Sequence, residues 1–348
     1  MLRIGRAGGV LGRVLRWTAW AAAYVLGLAA LVLAGAWVWW QQEPEARGTE
    51  TNALWARHQW VGESHTEAEY RELGALLKQH RMTDVFFHAG PFEADGTVPP
   101  AKYRYARQLI EAMREYAPGV RLQAYLGQIR VVDGDGVIDL DDPAVRERVL
   151  KTDAAFLDLG FDGIHYDFEP IYPDDEAFMT LMERTRELTR SRGALLSVAL
   201  EQLTLLDGAQ PVYKALLPRG GRYHQPPRPT KEFLRDVAGL ADQVAIMTYD
   251  VTLPTESLTG WHFAWHTRTT LELIGDRTTV FVGVPTYRPL LEWAEELPVA
   301  LRGVRRGIDG LERPPKRPYG VGVYAAWTTR PDEWARYRAD WLPGTAGG

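Results

Sequence analysis

The 348-residue chain contains no cysteine, which excludes disulfides, thiol nucleophiles and zinc–thiolate sites. An extracytoplasmic location stays open, because a chain of this length builds a large core without covalent staples. Charge of one sign is also lacking: 40 Lys and Arg against 45 Asp and Glu leave a formal net charge of −5, so the whole chain carries no footprint for nucleic acid. No glycine-rich phosphate loop follows the first strand pattern, which counts against an open doubly wound sheet, the runner-up architecture. The acidic stretch 131–142, V-V-D-G-D-G-V-I-D-L-D-D, lacks EF-hand spacing, since alignment on Asp133 puts Gly136 two places too early for the required glycine. It reads as solvated turns ending in a helix cap, and neither a metal nor a cofactor is expected.

One long stretch has no charge at all. From Trp17 to Trp40 the residues are W-T-A-W-A-A-A-Y-V-L-G-L-A-A-L-V-L-A-G-A-W-V-W-W, more than the roughly 20 apolar residues that span a bilayer. Residues 1–16 carry Arg3, Arg6, Arg13 and Arg16 and no acid, which keeps that side cytoplasmic, and tryptophans at both ends suit the two interfaces. A cleaved signal peptide is the alternative, with Ala34-Gly35-Ala36 as the cleavage site, although the run exceeds the usual apolar region of about 7–15 residues. Either way the remainder is expected outside the cytoplasm, as a single-pass signal-anchored domain at the periplasm or cell surface, or as a secreted one.

Residues 41–53 are polar, with Pro and Gly, and read as a linker. A rhythm of apolar strand, loop and amphipathic helix follows from 54 to 342, with 343–348 as a frayed tail. The expected strands are Trp55–Val61, Asp84–Ala89, Arg121–Gly127, Gly163–Glu169, Leu195–Glu201, Gln243–Asp250, Thr279–Tyr287 and Gly320–Thr328. Helices are expected over 66–80, 101–117, 143–159, 174–192, 230–241, 262–275, 290–306 and 331–341. Eight such units predict an α/β fold, a closed (β/α)8 barrel of the TIM type, preceded by one transmembrane helix. Residues 203–229 form a long Pro- and Gly-rich loop, a length typical of lids and binding loops. The arginines 305–306 and 313–317 read as a solvated face rather than a nucleic-acid patch.

The most informative segment is Phe161–Pro170, F-D-G-I-H-Y-D-F-E-P, which follows a helix stop at Leu159-Gly160. Ile164, Tyr166 and Phe168 alternate with His165, Asp167 and Glu169, so the polar three share one strand face, each roughly 6.6 Å from the next. Two carboxylates and an imidazole inside a fold are costly unless they have a partner or a task. D-G-x-x-x-D-x-E on a strand resembles the strand-4 signature of family-18 glycoside hydrolases, the chitinase type, with Asp162, Gly163, Asp167 and Glu169 matching. His165 departs from the commonest form, which has an acid there. Gln243–Asp250, Q-V-A-I-M-T-Y-D, is similar to the family's strand-6 motif at Met247, Tyr249 and Asp250, and Trp327 resembles its tryptophan beneath the reacting sugar.

The resemblance implies hydrolysis of β-linked N-acetylhexosamine glycans (chitin-like chains, peptidoglycan or an exopolysaccharide) with substrate-assisted retention. It casts Glu169 as the acid, Asp167 as the group that orients the acetamido substituent, and Tyr249 as its hydrogen-bond donor. His165 is expected either to bond Asp167 or to be a satisfied core histidine. Met247, Asp250, Trp327, Tyr287 and Glu201 complete the expected substrate-binding set; Trp261, His262 and Trp265, after strand 6, read as further sugar platforms, with helix-face packing an equal reading of Trp265. Two acids on one strand do not easily flank a sugar as ordinary glycosidase pairs do. Two other readings stand beside this one: a glycan-binding barrel without turnover, and a two-carboxylate glycosidase using Glu201 or Asp250. Many chitinases insert a small module after strand 7; the short stretch here implies an open groove.

Overall fold

The strand bearing Asp167 and Glu169 is shaped by its flanks. The preceding helix, Pro143–Leu159, starts on Asp142, whose carboxylate accepts from the Ala144 N–H at 2.7 Å with Pro143 in the first turn. It stops at Gly160, which takes a φ of 109°, a conformation that suits glycine. Asp162 then fixes the strand's entry. Its carboxylate accepts from the Leu122 N–H at 2.7 Å and from both terminal nitrogens of Arg114 at 2.9 and 2.8 Å.

The computed structural model describes residues 7–131, 134–172, 175–204, 228–251, 253–287 and 296–344, with side chains from residue 16 onward. Eight strands form one closed barrel in sequence order, all neighbours parallel: β1 (Ala53–Ala56), β2 (Asp84–His88), β3 (Arg121–Ile129), β4 (Gly163–Glu169), β5 (Leu195–Glu201), β6 (Gln243–Met247), β7 (Thr279–Pro285) and β8 (Tyr319–Tyr324). The described helices are α1 (Ala7–Gln41), α2 (Gln59–Gly62), α3 (Glu67–Gln79), α4 (Ala106–Tyr116), α5 (Pro143–Leu159), α6 (Glu176–Ser191), α7 (Lys231–Leu240), α8 (Glu256–Ile274), α9 (Leu297–Asp309) and α10 (Pro331–Asp340). This is the expected (β/α)8 architecture.

The barrel interior is filled by Ala53, Trp55, Phe86, Ala245, Phe281 and Ala325. A glycine at 322 is required there, since a Cβ would stand 2.5 Å from the Trp55 ring. At the strands' N-terminal end the buried Asp84 carboxylate takes hydrogen bonds from Arg121, Gln123 and Gln243 at 2.6–2.9 Å, which satisfies the charge and plugs the base.

Several boundaries differ from the expectation. β1 ends at Ala56, because Val61 reaches the core from a helical turn in which its N–H donates to His58 O at 3.0 Å. β6 ends at Met247: the Thr248 hydroxyl bonds Gly283 O at 2.6 Å and its carbonyl accepts from His262, replacing the ladder. β8 ends at Tyr324. α8 begins six residues before position 262, on a Thr255 cap. The expected helix 290–306 is Leu297–Asp309; its residues 290–295 lie outside the described set, as do most of loop 203–229 and residues 345–348.

Within α1, Arg16–Gln41 is long and apolar enough to cross a membrane by length and composition. The polar stretch after it is held against α9. Arg305 donates to Ala46 O and Pro44 O at 2.7 and 2.8 Å, Arg302 to Gln42 O at 3.2 Å, and Asp309 accepts from the Glu45 and Ala46 N–H groups at 2.9 and 2.6 Å. Arg305 and Arg306, expected on a solvated face, are therefore partly buried anchors for this strap.

Candidate active site

In a barrel of this kind the C-terminal ends of the strands form the functional mouth. Glu169 is the last residue of β4, and register places Gly127 of β3 beside Asp167 and Ile129 beside Glu169. A small cavity of about 160 Å³ opens there, lined by His88, Pro91, Tyr125, Gly127, Gln128, Ile129, Asp167 and Glu169. Gly127 is needed for the approach of the two strands, since a Cβ would lie 1.9 Å from the Asp167 carbonyl oxygen.

Asp167 accepts from the Tyr125 hydroxyl at 2.5 Å through one oxygen, and its other oxygen, Oδ1, is buried with no partner among the described residues. Burial raises its pKa, against the opposing effect of the Tyr125 bond. Glu169 stands at the open rim, yet its carboxyl is pushed up to about 8, first by burial and then by the charges of Asp167, Glu201 and Asp250. The three charges that raise Glu169 are all negative, and Arg130, which opens the adjoining loop, forms a buried ion pair with Asp175. Glu201, ending β5, is raised to about 7 by burial, with Arg228 opposing and Asp167 reinforcing the shift.

Aromatic rings wall the other side. Tyr249 is buried, stacks on Tyr324 with centroids 5.1 Å apart, and meets Tyr287 edge-on at 5.9 Å. The Tyr287 hydroxyl donates to Asp250, whose backbone has a φ of 64°. Trp327 meets Tyr324 edge-on at 5.6 Å, and the Arg57 guanidinium lies 5.7 Å from its ring. Met247 ends β6, so Tyr249 and Asp250 sit just beyond the strand.

Two expectations need correction. His165 does not bond Asp167. Its Nδ1 meets Ser197 Oγ at 2.8 Å, and its ring, 0% exposed, stacks on Phe86 at 3.7 Å beneath the site; burial pushes it down to about 3, so it is neutral. It supports the floor and does not reach a ligand in the mouth. Trp261, His262 and Trp265 all lie on α8: His262 is buried on Thr248 O and so is no sugar platform, while Trp265 takes the helix-face packing reading. Tyr125 and His88 were missed. Tyr125 lies level with His165 on the neighbouring strand and reaches up to Asp167, so its inward parity on R-L-Q-A-Y-L-G-Q-I was the available signal.

Two acids and a ring of tyrosines thus stand together at the C-terminal mouth of a closed (β/α)8 barrel. No protein-family model and no curated protein matches the sequence. Solved structures do share the fold. The spore cortex-lytic enzyme SleL of Bacillus cereus superposes with a TM-score of 0.57 at 12% identity, over 86% of this chain and 75% of that one. A chitinase from Chromobacterium violaceum gives 0.54 at 15% identity, over 83% and 98%. A class V chitinase from Pseudomonas fluorescens gives 0.54 at 16%, over 83% and 99%. At these identities the likeness is one of fold.

Proposed function

We propose that the chain is an exported, membrane-anchored glycoside hydrolase that cleaves β-linked N-acetylhexosamine glycans with retention, through participation of the substrate's own acetamido group. The observation that carries this reading is the placement of Glu169 at the mouth end of the same strand as Asp167, whose Oδ1 is buried with no partner among the described residues; burial and neighbouring acids favour a proton on Glu169. Glu169 donates its proton to the leaving glycosidic oxygen. Asp167 accepts from the acetamido N–H through Oδ1 and offsets the cationic ring formed when the acetamido oxygen attacks the anomeric carbon. Tyr249 hydrogen-bonds the acetamido oxygen, and Trp327 offers a flat face to the pyranose. Water then opens the intermediate with Glu169 acting as base. The chitinases and cortex-lytic enzymes that share the fold support this substrate class.

The anchor reading rests on Trp17–Trp40, with the barrel outside the cytoplasm and Arg3–Arg16 inside. A second reading is a two-carboxylate glycosidase, favoured by Glu201, whose raised pKa near 7 suits acid–base work. One experiment tests both. Wild type and Glu169→Gln are assayed on a chitooligosaccharide and on the matching glycoside without the acetamido group, with binding measured in parallel. Turnover of the acetamido substrate alone, lost in Glu169→Gln while binding persists, is the expected result. Equal turnover of both glycosides selects the two-carboxylate reading, and binding without turnover in wild type selects a glycan-binding barrel.

A further inference from the structure

A membrane anchor joined by a free linker leaves its domain to tumble; twelve flexible residues would give it roughly 20 Å of play. This chain has no such play. α1 runs unbroken to Gln41, and Trp40 within it is only 6% exposed, seated on α8 where a Cβ at Gly260 would stand 2.1 Å from the indole. Arg302 lies 4.6 Å over the Trp40 ring and donates to its carbonyl at 2.6 Å, while Arg306 lies 4.3 Å over Trp39.

The height of this seat on the barrel matters. Helices in a (β/α)8 barrel begin at the mouth and end at the base. Gly260 is about 6 Å, and Arg302 about 7.5 Å, below the starts of α8 and α9 at 1.5 Å per residue. The chain then descends the wall: Gln42 at Arg302, Pro44 and Ala46 at Arg305, Glu45 at Asp309, and Thr49 on Tyr319 O at 2.5 Å before β1 begins. Asp309 ends α9, about 18 Å below its start. The anchor therefore leaves from the mouth third of the wall. Trp37, 59% exposed, and Trp261, 42% exposed, stand with Trp39 and Trp40 on that side, a composition suited to the lipid headgroup boundary.

We infer that the mouth end of the α8–α9 wall is fixed at the bilayer surface, so that the site serves glycan attached to or emerging from the membrane. This rests on Trp17–Trp40 being a retained span. Wall residues Asp250 and Tyr287 then lie on the membrane side of the mouth, and a glycan chain held close to the lipid enters without crossing the barrel.

The absence of cysteine makes the test direct. Single cysteines replace Glu256, at the mouth end of α8, and Glu312, at the base beyond α9, in the full chain reconstituted in phosphatidylcholine vesicles. Each carries a fluorophore, and a quencher is attached to lipid headgroups. Quenching several-fold stronger at 256 than at 312 is expected; equal or reversed quenching in protein that floats with the vesicles overturns the orientation alone. Protein that fails to float overturns the anchor reading and this inference with it. In Arg302→Ala/Arg306→Ala, checked for fold by circular dichroism and for unchanged turnover of a soluble chitooligosaccharide, the contrast should collapse while flotation persists. A contrast that survives overturns the role of Arg302 and Arg306 in fixing the wall. Finally, wild type should turn over a lipid-coupled chitooligosaccharide in the same vesicles at least about tenfold faster than the free one, an effective-concentration gain. Equal rates overturn the assignment to membrane-held glycan.

Discussion

A carboxyl group that must give up a proton near neutrality needs surroundings that hold the proton until the leaving group takes it. Glu169 has them, with a pKa near 8 set by burial and three neighbouring acids. Its activity should therefore fall as pH rises through about 8, and Glu201→Gln, which removes one of those charges, should move that limb toward acid. In the proposed mechanism Asp167 acts ionised, and burial, which raises its pKa, moves the acidic limb upward. Tyr125→Phe deletes the bond that opposes this rise, so the acidic limb should move further up, with kcat reduced about tenfold. Glu169→Gln should lower kcat by about 100- to 10,000-fold. The same variant should be stabilised. A carboxyl whose folded pKa lies above its unfolded value near 4.5 contributes favourably below that value and loses the contribution as pH rises to about 8. Urea unfolding should thus show Glu169→Gln more stable than wild type by about 1 kcal/mol at pH 8.5, because solvent at the rim screens the neighbouring acids, and nearly equal to it at pH 4. Position and facing of these two acids were legible because strand periodicity is local. The role of Tyr125 was not, since its hydroxyl crosses from the neighbouring strand, and the same limit hid the Ser197 and Phe86 contacts that make His165 a floor residue.

Between β3 and β4 the site depends on one missing side chain. A Cβ at Gly127 meets backbone, the Asp167 carbonyl, which cannot swing aside as a side chain would. Gly127→Ala should cost about 1–3 kcal/mol in stability, and it should depress turnover beyond what that loss explains by displacing Asp167; a variant with full kcat and lowered Tm would refute the positioning role. Sequence periodicity located all eight strands and marked α5 from end to end, because Asp142, Pro143 and Gly160 are local signals. It missed the first six residues of α8. There Thr259 and Gly260 look like loop; the Thr255 cap is a local signal for the start, while the packing of Trp40 and Gly303 on Gly260 comes from distant parts of the chain.

At the scale of the molecule, the seam of the barrel is narrow. β1 meets β8 through only two residue pairs, Ala53 with Gly322 and Leu54 with Val323. Reinforcement comes from just upstream: Asn52 accepts from the Trp341 indole N–H at 2.6 Å and donates to Thr49 O at 3.0 Å, while its carbonyl accepts from the Thr83 N–H at 2.8 Å. Asn52→Ala should cost about 1–3 kcal/mol, the desolvation of a buried donor left without its partner, measured as a lowered urea midpoint with an unchanged slope. Removing residues 1–41 should leave turnover of soluble oligosaccharide intact, whereas removing 1–52 should lower Tm by several degrees. The barrel itself was readable from the strand–helix rhythm, but the bond between Asn52 and Trp341 joins residues 289 positions apart and leaves no local trace.

The strap along α9 also bears on mechanics. An enzyme tied to a bilayer while gripping a polymer is pulled from both ends whenever the two drift apart. Tension on α1 would reach Trp40 and Arg302 first, then the bonds at Arg305 and Asp309, and only afterwards Thr49 and β1. Load is thus taken contact by contact, as adhesive tape is peeled, and is spent before it reaches the two-rung closure of the barrel.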